Sequence, residues 1–205
     1  MLLKIILSVI IGYILGSLNA SLIVGKLFYK KDVREHGSMS AGATNTLRTL
    51  GKGAAIAVTV FDVLKGISAC LIGQYLVGYI ENYGMVGIYL AGLGAVLGHN
   101  WPLFFGFKGG KGVLTTFSVI LYISPVPALI SLGIFVIVVI LTKYVSLGSI
   151  VGAISWPIIS IFFNLPAFGL VVAVFMVVLI VFRHKPNIER LLNGTEKKLS
   201  FKRSG

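Results

Sequence analysis

Three polar stretches in this chain carry side chains suited to holding anions, and each lies beside a long apolar run. The first reads Arg34-Glu35-His36-Gly37-Ser38-Met39-Ser40-Ala41-Gly42-Ala43-Thr44-Asn45-Thr46-Leu47-Arg48. Backbone rich in Gly, Ser, Thr and Asn can turn successive N–H groups inward on one anion. Hydroxyls and a guanidinium add charge-assisted bonds to phosphate oxygens. The same composition also makes a flexible solvated loop. The length of the stretch in so compact a chain favours the functional reading.

The second stretch reads Gly98-His99-Asn100-Trp101-Pro102-Leu103-Phe104-Phe105-Gly106-Phe107-Lys108-Gly109-Gly110-Lys111-Gly112. Its last five residues bring two ammonium groups and bare backbone to a helix start, where unpaired N–H groups and the dipole favour an anion. A tight turn with snorkelling lysines would use the same residues. It is not a Walker A loop, because Gly112 stands where the metal-binding hydroxyl would be. Trp101, Phe104, Phe105 and Phe107 suit either an interfacial aromatic belt or a wall for an acyl chain, and the belt is the safer reading.

The third stretch runs from Arg183 to Glu196 and holds His184, Lys185, Asn187, Glu189 and Arg190. Pro186 near its start and Gly194 near its end predict a short helix lying at a membrane surface. His184 then sits where an apolar run meets the headgroup layer, as does His99. For His99 the expectation is an interfacial imidazole bonded to backbone. For His184, close to Arg183, Asn187 and Arg190, it is a place near substrate. His184 and Glu189 make only a partial His-x-x-x-x-Asp acyltransferase motif. No cluster has metal-ligand spacing, and no Gly-x-Ser-x-Gly elbow is present.

The elements that must position these stretches are membrane spans. Of 205 residues 57% are hydrophobic and only 12% are charged, against about a quarter charged in soluble domains. Apolar runs cover about 2–29, 53–80, 84–98, 113–123, 126–141, 147–163 and 167–182. The pattern predicts an all-α polytopic membrane protein with seven transmembrane helices, one of them short, forming a single domain over 1–205. The first run is too long for a signal-peptide core and reads as a retained span. Eighteen Lys and Arg against six Asp and Glu give a net charge of +12. That balance would suggest nucleic acid in a soluble chain. Here sixteen of the basic residues fall in segments that alternate with nearly uncharged turns. The positive-inside rule puts those segments and the C-terminus in the cytoplasm and the N-terminus outside.

The run 113–123 spans ~16 Å as a helix, about half the hydrocarbon core. A hairpin turning at Pro125 fits the charge rule better than one kinked span through 113–141. Its depth predicts a cytoplasm-facing pocket beside it, since irregular backbone in a membrane needs protein or water to satisfy it. Gly12-x-x-x-Gly16, Gly94-x-x-x-Gly98 and Gly148-x-x-x-Gly152 predict close helix packing. Asp62 and Lys65, three apart on one helix face, read as a structural pair in preference to a proton relay. Cys70, the single cysteine, reads as packing.

Taken in order, Gly37-Ser38-x-x-Ala41-Gly42-Ala43-Thr44-Asn45-x-Leu47-Arg48, Gly98-His99-x-x-Pro102-x-Phe104-x-x-Phe107-Lys108-Gly109-Gly110-Lys111-Gly112 and Arg183-His184-x-x-Asn187-Ile188-x-Arg190-Leu191-x-x-Gly194-x-Glu196 resemble the signature of the bacterial acyl-phosphate–glycerol-3-phosphate acyltransferases, the PlsY family. The departure is at Met39-Ser40, where the family usually carries Gly-Asn.

The resemblance implies acyl transfer from acyl phosphate to the 1-hydroxyl of glycerol 3-phosphate, in the bacterial inner membrane with the site facing the cytoplasm. It implies lysophosphatidate and phosphate as products and phospholipid synthesis as the setting. Acyl phosphate is already an activated anhydride, so neither metal nor other cofactor is expected. Partners are the two substrates and membrane lipids, with no nucleic acid, and the chain is expected to be a monomer. The implied catalytic set is Ser38, Arg48, Lys111, His184 and Asn187. The implied substrate-binding set is Gly37, Gly42, Ala43, Thr44, Asn45, His99, Lys108, Gly109, Gly110, Gly112 and Arg183. The proton acceptor is either His184 or the donor's own phosphate. A phosphate-ester transporter would place polar residues near the midplane with access from both faces, whereas these gather on one side.

Overall fold

The computed structural model describes residues 1–199, so Lys202 and Arg203 of the basic tail lie outside the described residues. The described chain is built of helices: α1 (Leu2–Ser17), α2 (Ala20–Phe28), α3 (Ala43–Leu50), α4 (Lys52–Val77), α5 (Val86–Asn100), α6 (Val113–Ile123), α7 (Pro125–Thr142), α8 (Val145–Ile161), α9 (Ala167–Arg183) and α10 (Lys185–Leu192). Three apolar stretches are long enough to cross a bilayer: Leu2–Phe28, Lys52–Val77 and Pro125–Thr142. A fourth exists if α9 and α10, bent by 58°, are taken together. α6 and α8 are apolar but shorter.

The first apolar run is two helices, contrary to the single stretch expected from hydropathy. The break has a local cause in Asn19, which caps α2 by accepting a bond from the Leu22 N–H at 3.1 Å. Asn19 Nδ2 also reaches the Ala41 carbonyl at 3.4 Å. A polar side chain that competes for backbone bonds ends one helix and starts the next. The short helix α6 and its hairpin to α7 match the sequence reading. Ser124 ends α6, and Pro125 opens α7 at a position where its missing N–H costs nothing. Trp156 of α8 donates Nε1–H to the Ser124 hydroxyl at 3.1 Å and pins that turn.

The paired glycines do what their spacing predicts. A Cβ added at Gly16 would lie 2.0 Å from the Ala95 carbonyl oxygen, and one at Gly98 would lie 2.1 Å from that of Tyr13. The backbones of α1 and α5 are therefore in direct contact, and α4 closes on α5 in the same way through Gly73 and Gly87. Gly148 and Gly152 seat α8 against Phe135 of α7. Cys70 packs with Val96, Val119 and Met176 in the interior. Opposite faces carry Ile6, Ile10 and Ile14 on α1 and Ile130, Ile137 and Ile140 on α7, exposed as lipid-facing stripes should be.

Asp62 and Lys65 are buried on α4, with Nζ 2.7 Å from Asp62 Oδ1. A charge in an apolar interior persists only with such a partner.

Candidate active site

The first polar stretch is more ordered than an open loop. Asp32 accepts from the Arg34 side chain at 3.0 and 2.7 Å and from Lys26 at 3.3 Å. The Arg34 guanidinium beside it holds its carboxyl well below the usual carboxylate range. Arg34 in turn donates to the Phe105 and Lys108 carbonyls at 3.0 and 2.9 Å, tying the first stretch to the second. Asn45 is fully engaged in shaping the loop: Oδ1 accepts from the Ser38 N–H, and Nδ2 donates to the Val33 and His36 carbonyls. Gly42 then starts α3, an element that composition did not reveal.

The second stretch folds back on the end of α5. The Gly109 N–H donates to the Asn100 carbonyl and the Gly110 N–H to that of His99. These two amides are consumed internally and are not turned toward an anion. Their carbonyls receive Arg183, at 3.0 Å for Gly109 and 2.9 Å for Gly110. Arg183 also stacks over the Trp101 ring at 5.4 Å. Gly112 begins α6 with φ of +75°, where a Cβ would meet Asn100 Oδ1 at 2.8 Å. Only glycine suits both constraints.

Between these segments and α8–α10 lies a cavity of about 280 Å³. Ser38, Gly42, Ala43, Thr44, Asn45, Arg48, His99, Lys111, Gly112, His184 and Asn187 line it. Gly37, Lys108, Gly109, Gly110 and Arg183 stand outside that lining among the described residues. Lys108 is exposed. Phe104 and Phe107 are exposed as well, whereas Phe105 packs against Leu22, Val33 and Ala41, and Trp101 against the helical core.

The bend between α9 and α10 turns Asn187 under the cavity. Lys111 Nζ donates to Asn187 Oδ1, and Asn187 Nδ2 donates to Glu196 Oε1 at 2.7 Å. Glu196 also accepts from the Ser146 hydroxyl and from Arg190 Nε, each at 2.7 Å. Burial works against its charge, but those three hydrogen bonds hold the Glu196 carboxyl below its ordinary value. The segment after Glu196 crosses to the first loop. Arg48 donates to the Lys197 carbonyl at 3.3 Å, and Lys197 Nζ donates to that of Gly37 at 3.2 Å.

Burial pushes the Lys111 ammonium down to about 8; Glu196 pulls the other way, while Arg190, Arg48 and Arg183 add to the fall. His184 Nδ1 lies 2.8 Å from the Ile180 carbonyl, which can only accept. Nδ1 therefore carries the proton and Nε2 is the ring's acceptor. Burial, followed by the charge of Lys111, pushes this imidazole down to about 4.

His99 is not the backbone-bonded interfacial imidazole its position suggested. It is buried, and Nδ1 lies 2.9 Å from Lys65 Nζ. Asp62 and His99 both reach the cavity wall, so the α4 pair borders the site through Asp62. Sequence reasoning also missed Ser40, Thr59, Ser146 and Ser149 as wall residues. Glu196 was visible only as the last letter of the third motif. A hydroxyl in an apolar helix carries no local sign of which neighbour it will face.

The cavity continues into an apolar groove of about 150 Å³ between α6, α7 and α8. Val113, Leu114, Phe135 and Ser149 belong to both spaces. Phe117, Ile120, Leu132, Gly152 and Ala153 line the groove further in. At Ile120 it meets the packed cluster of Ala128, Trp156 and Ala173. A polar chamber with an apolar extension suits a ligand with a charged head and a hydrocarbon tail. Among the described residues no group of three His, Cys, Asp or Glu could hold a metal ion.

Residues 6–194 match the family described as glycerol-3-phosphate acyltransferase. The glycerol-3-phosphate acyltransferase of Thermoanaerobacter pseudethanolicus is 45% identical over 197 residues, covering 96% of each chain. That of Clostridioides difficile is 44% identical over 198 residues, covering 97% of each. The crystal structure of PlsY (YgiH), an integral membrane glycerol 3-phosphate acyltransferase, in its glycerol 3-phosphate form superposes with a TM-score of 0.88 at 38% identity over 96% of both chains. Its lysophosphatidic acid form gives 0.85 at 37% identity, over 96% of this chain and 95% of that one. With a helical membrane fold, the three motifs in order and full-length relatives, this chain belongs to the glycerol-3-phosphate acyltransferase family and is an integral-membrane acyltransferase.

Proposed function

We propose that the protein transfers a fatty acyl group from acyl phosphate to the 1-hydroxyl of glycerol 3-phosphate, releasing lysophosphatidate and inorganic phosphate. The observation that carries this reading is the continuity of the basic cavity with the apolar groove through Val113, Leu114, Phe135 and Ser149. The head of the donor lies in the cavity and its tail in the groove. Arg48, Lys111 and the Asn187 amide hold phosphate oxygens, and Ser38 orients the attacking hydroxyl or a phosphate oxygen. Charge-assisted bonds of this kind are the strong ones.

The hydroxyl oxygen attacks the acyl carbon, the carbon–oxygen bond to phosphate breaks, and the hydroxyl proton ends on phosphate. His184 presents a neutral acceptor and orients the hydroxyl, and the phosphate of the donor takes the proton. An imidazole pushed down to about 4 is a weak base at neutral pH. The reading needs no covalent acyl-enzyme.

The helices form seven spans, counting α1 with α2 as one and setting aside the short helices α3 and α10 as lying outside the spans. The N-terminus lies outside and the C-terminus inside. The working unit is a monomer in the inner membrane, with the cavity open to the cytoplasm. The basic segments 26–34, 48–52, 108–111 and 183–198 are joined by the Arg34–Lys108, Arg48–Lys197 and Arg183–Gly110 hydrogen bonds, which supports placing them on one side.

The test uses purified full-length protein in detergent or monoolein, given glycerol 3-phosphate with palmitoyl phosphate or with palmitoyl-CoA and no added metal. Lysophosphatidate from the acyl phosphate alone is the expected result. Activity with the thioester only would reassign the donor. No turnover with either donor by folded protein would overturn the reading.

A further inference from the structure

Two histidines line the cavity, and their surroundings leave them in opposite tautomers. The reason for His184 is the Ile180 carbonyl, which takes the Nδ1 proton. The reason for His99 lies in α4. Lys65, 4% exposed, places Nζ 2.7 Å from Asp62 Oδ1, 2.9 Å from His99 Nδ1, and 3.3 Å from each of the Gly16 and Leu18 carbonyls. Carboxylate and carbonyl oxygens only accept, so Nζ is a donor here, and an ammonium has three protons and no lone pair: one points at His99 Nδ1, one at Asp62, and the two carbonyls at the longer 3.3 Å share the third. The ring nitrogen facing it is therefore the acceptor. Asp62 Oδ1 is 3.6 Å from the same nitrogen, too far to claim a proton there. A neutral ring that accepts at Nδ1 carries its proton on Nε2.

That Nε2 lies at the seam between the two loops that form the cavity. A Cβ built on Gly110 would be 2.2 Å from His99 Nε2 and 2.3 Å from the Ala41 carbonyl oxygen. Gly110 is thus the residue that leaves room for the ring edge between the first loop and the start of α6. The α4 pair sits beneath, and its ammonium also covers carbonyls left over at the end of α1.

We propose that Lys65, held by Asp62, is a positioning residue that locks His99 as the Nε2–H tautomer, so that His99 is a neutral hydrogen-bond donor to a substrate phosphate oxygen. This rests on the reading above that the cavity holds phosphate-bearing substrates. The site then faces its ligands with one imidazole that donates, His99, and one that accepts, His184. The pair distinguishes a phosphate oxygen from a hydroxyl group without placing a further formal charge in the membrane.

The experiment is nitrogen-15 NMR of the full-length protein in detergent with labelled histidine. There are three histidines, and the His99→Gln spectrum assigns the signals of His99. At pH 7 the expected spectrum shows His99 with hydrogen on Nε2 and His184 with hydrogen on Nδ1. Saturating glycerol 3-phosphate shifts the His99 Nε2–H signal. In the Asp62→Asn/Lys65→Met protein, which removes both charges together, the tautomer preference is lost.

Kinetics supply the second readout. His99→Gln keeps an amide donor near the Nε2 position and stays within about tenfold of the parent kcat/KM, whereas His99→Asn, whose amide is too short, loses about a hundredfold. A wild-type His99 bearing its proton on Nδ1, or on both nitrogens, overturns the lock. A signal unmoved by glycerol 3-phosphate, or equal losses in folded His99→Gln and His99→Asn proteins, overturns the donor role. The spectra need no turnover, so failure of the acyl-phosphate reading would show separately, as absence of lysophosphatidate from wild-type protein.

Discussion

Lys111, in the loop before α6, donates its ammonium to the Oδ1 of Asn187 on α10, a residue 76 positions further along the chain. Asn187 can receive it in that orientation because Glu196 takes the other end of the amide at 2.7 Å. A cation, an amide and a carboxylate thus form one line across the cavity floor. Losing the cation at either position proposed to face phosphate should cost about 1.5–3 kcal/mol, or roughly 10- to 100-fold in kcat/KM. Arg48→Ala and Lys111→Ala, assayed with glycerol 3-phosphate and acyl phosphate, test this. An unchanged kcat/KM in either would remove that residue from the site.

Activity should fall on the alkaline side for a reason located at Lys111. Its ammonium is pushed down to about 8, so the charge proposed to bind phosphate is present at pH 7 and is lost as pH rises through 8. On the proposed reading, the KM for the phosphate-bearing substrate at Lys111 should climb between pH 8 and 9. Lys111→Arg, with a guanidinium that stays protonated, should flatten that rise whatever its effect on kcat. A profile identical to the parent's would assign the alkaline limb elsewhere.

Glu196 organises the site from behind. Its removal leaves Asn187 Nδ2, the Ser146 hydroxyl and Arg190 Nε without the oxygen each now uses. Glu196→Ala should lower stability by about 1–3 kcal/mol, since a buried polar group without a partner costs that much. The effect should appear as a lower thermal midpoint in detergent. Because the depressed carboxyl is charged in the folded protein, its contribution is present above its ordinary value of 4.5 and is lost as pH falls below that. A midpoint equal to the parent's at pH 7 would contradict the network.

Met39 occupies the left-handed region with φ of +57°. It stands where the resemblance expects glycine, and its side chain is exposed. An L-residue there costs about 1–2 kcal/mol that glycine does not pay. Met39→Gly should therefore raise the thermal midpoint by about 2–8 °C. A drop in the midpoint would show that the methionine side chain makes a stabilising contact.

The apolar groove has a small residue, Ala153, in its wall. Ala153→Phe should fill part of the space of about 150 Å³ and obstruct the proposed path of the donor's tail. The expected loss is about tenfold or more in kcat/KM for palmitoyl phosphate, with a smaller loss for a short-chain acyl phosphate and little change in KM for glycerol 3-phosphate. Equal losses for both chain lengths would place the tail elsewhere.

Much of the frame was legible because its signals are local. The bounds of α6 follow from Gly112 before it and Ser124-Pro125 after it, and the apolar runs become helices within a few residues of their ends. Small residues at four-residue spacing indicate close packing whichever helix is the partner. The break at Asn19 was missed because hydropathy averages over one polar residue, although its capping chemistry is local too.

The amino-acid sequence by itself determined that this is a basic, helical membrane protein with three polar motifs set between its apolar runs. Only the tertiary structure decided which partner each polar group takes. Arg183 turns to the carbonyls of Gly109 and Gly110, Asn45 spends its amide on the loop, and His99 meets Lys65 and not backbone. Each of these groups has several chemically equivalent partners within the chain. The choice among them depends on helix packing that brings together residues dozens of positions apart, and no local pattern encodes that distance.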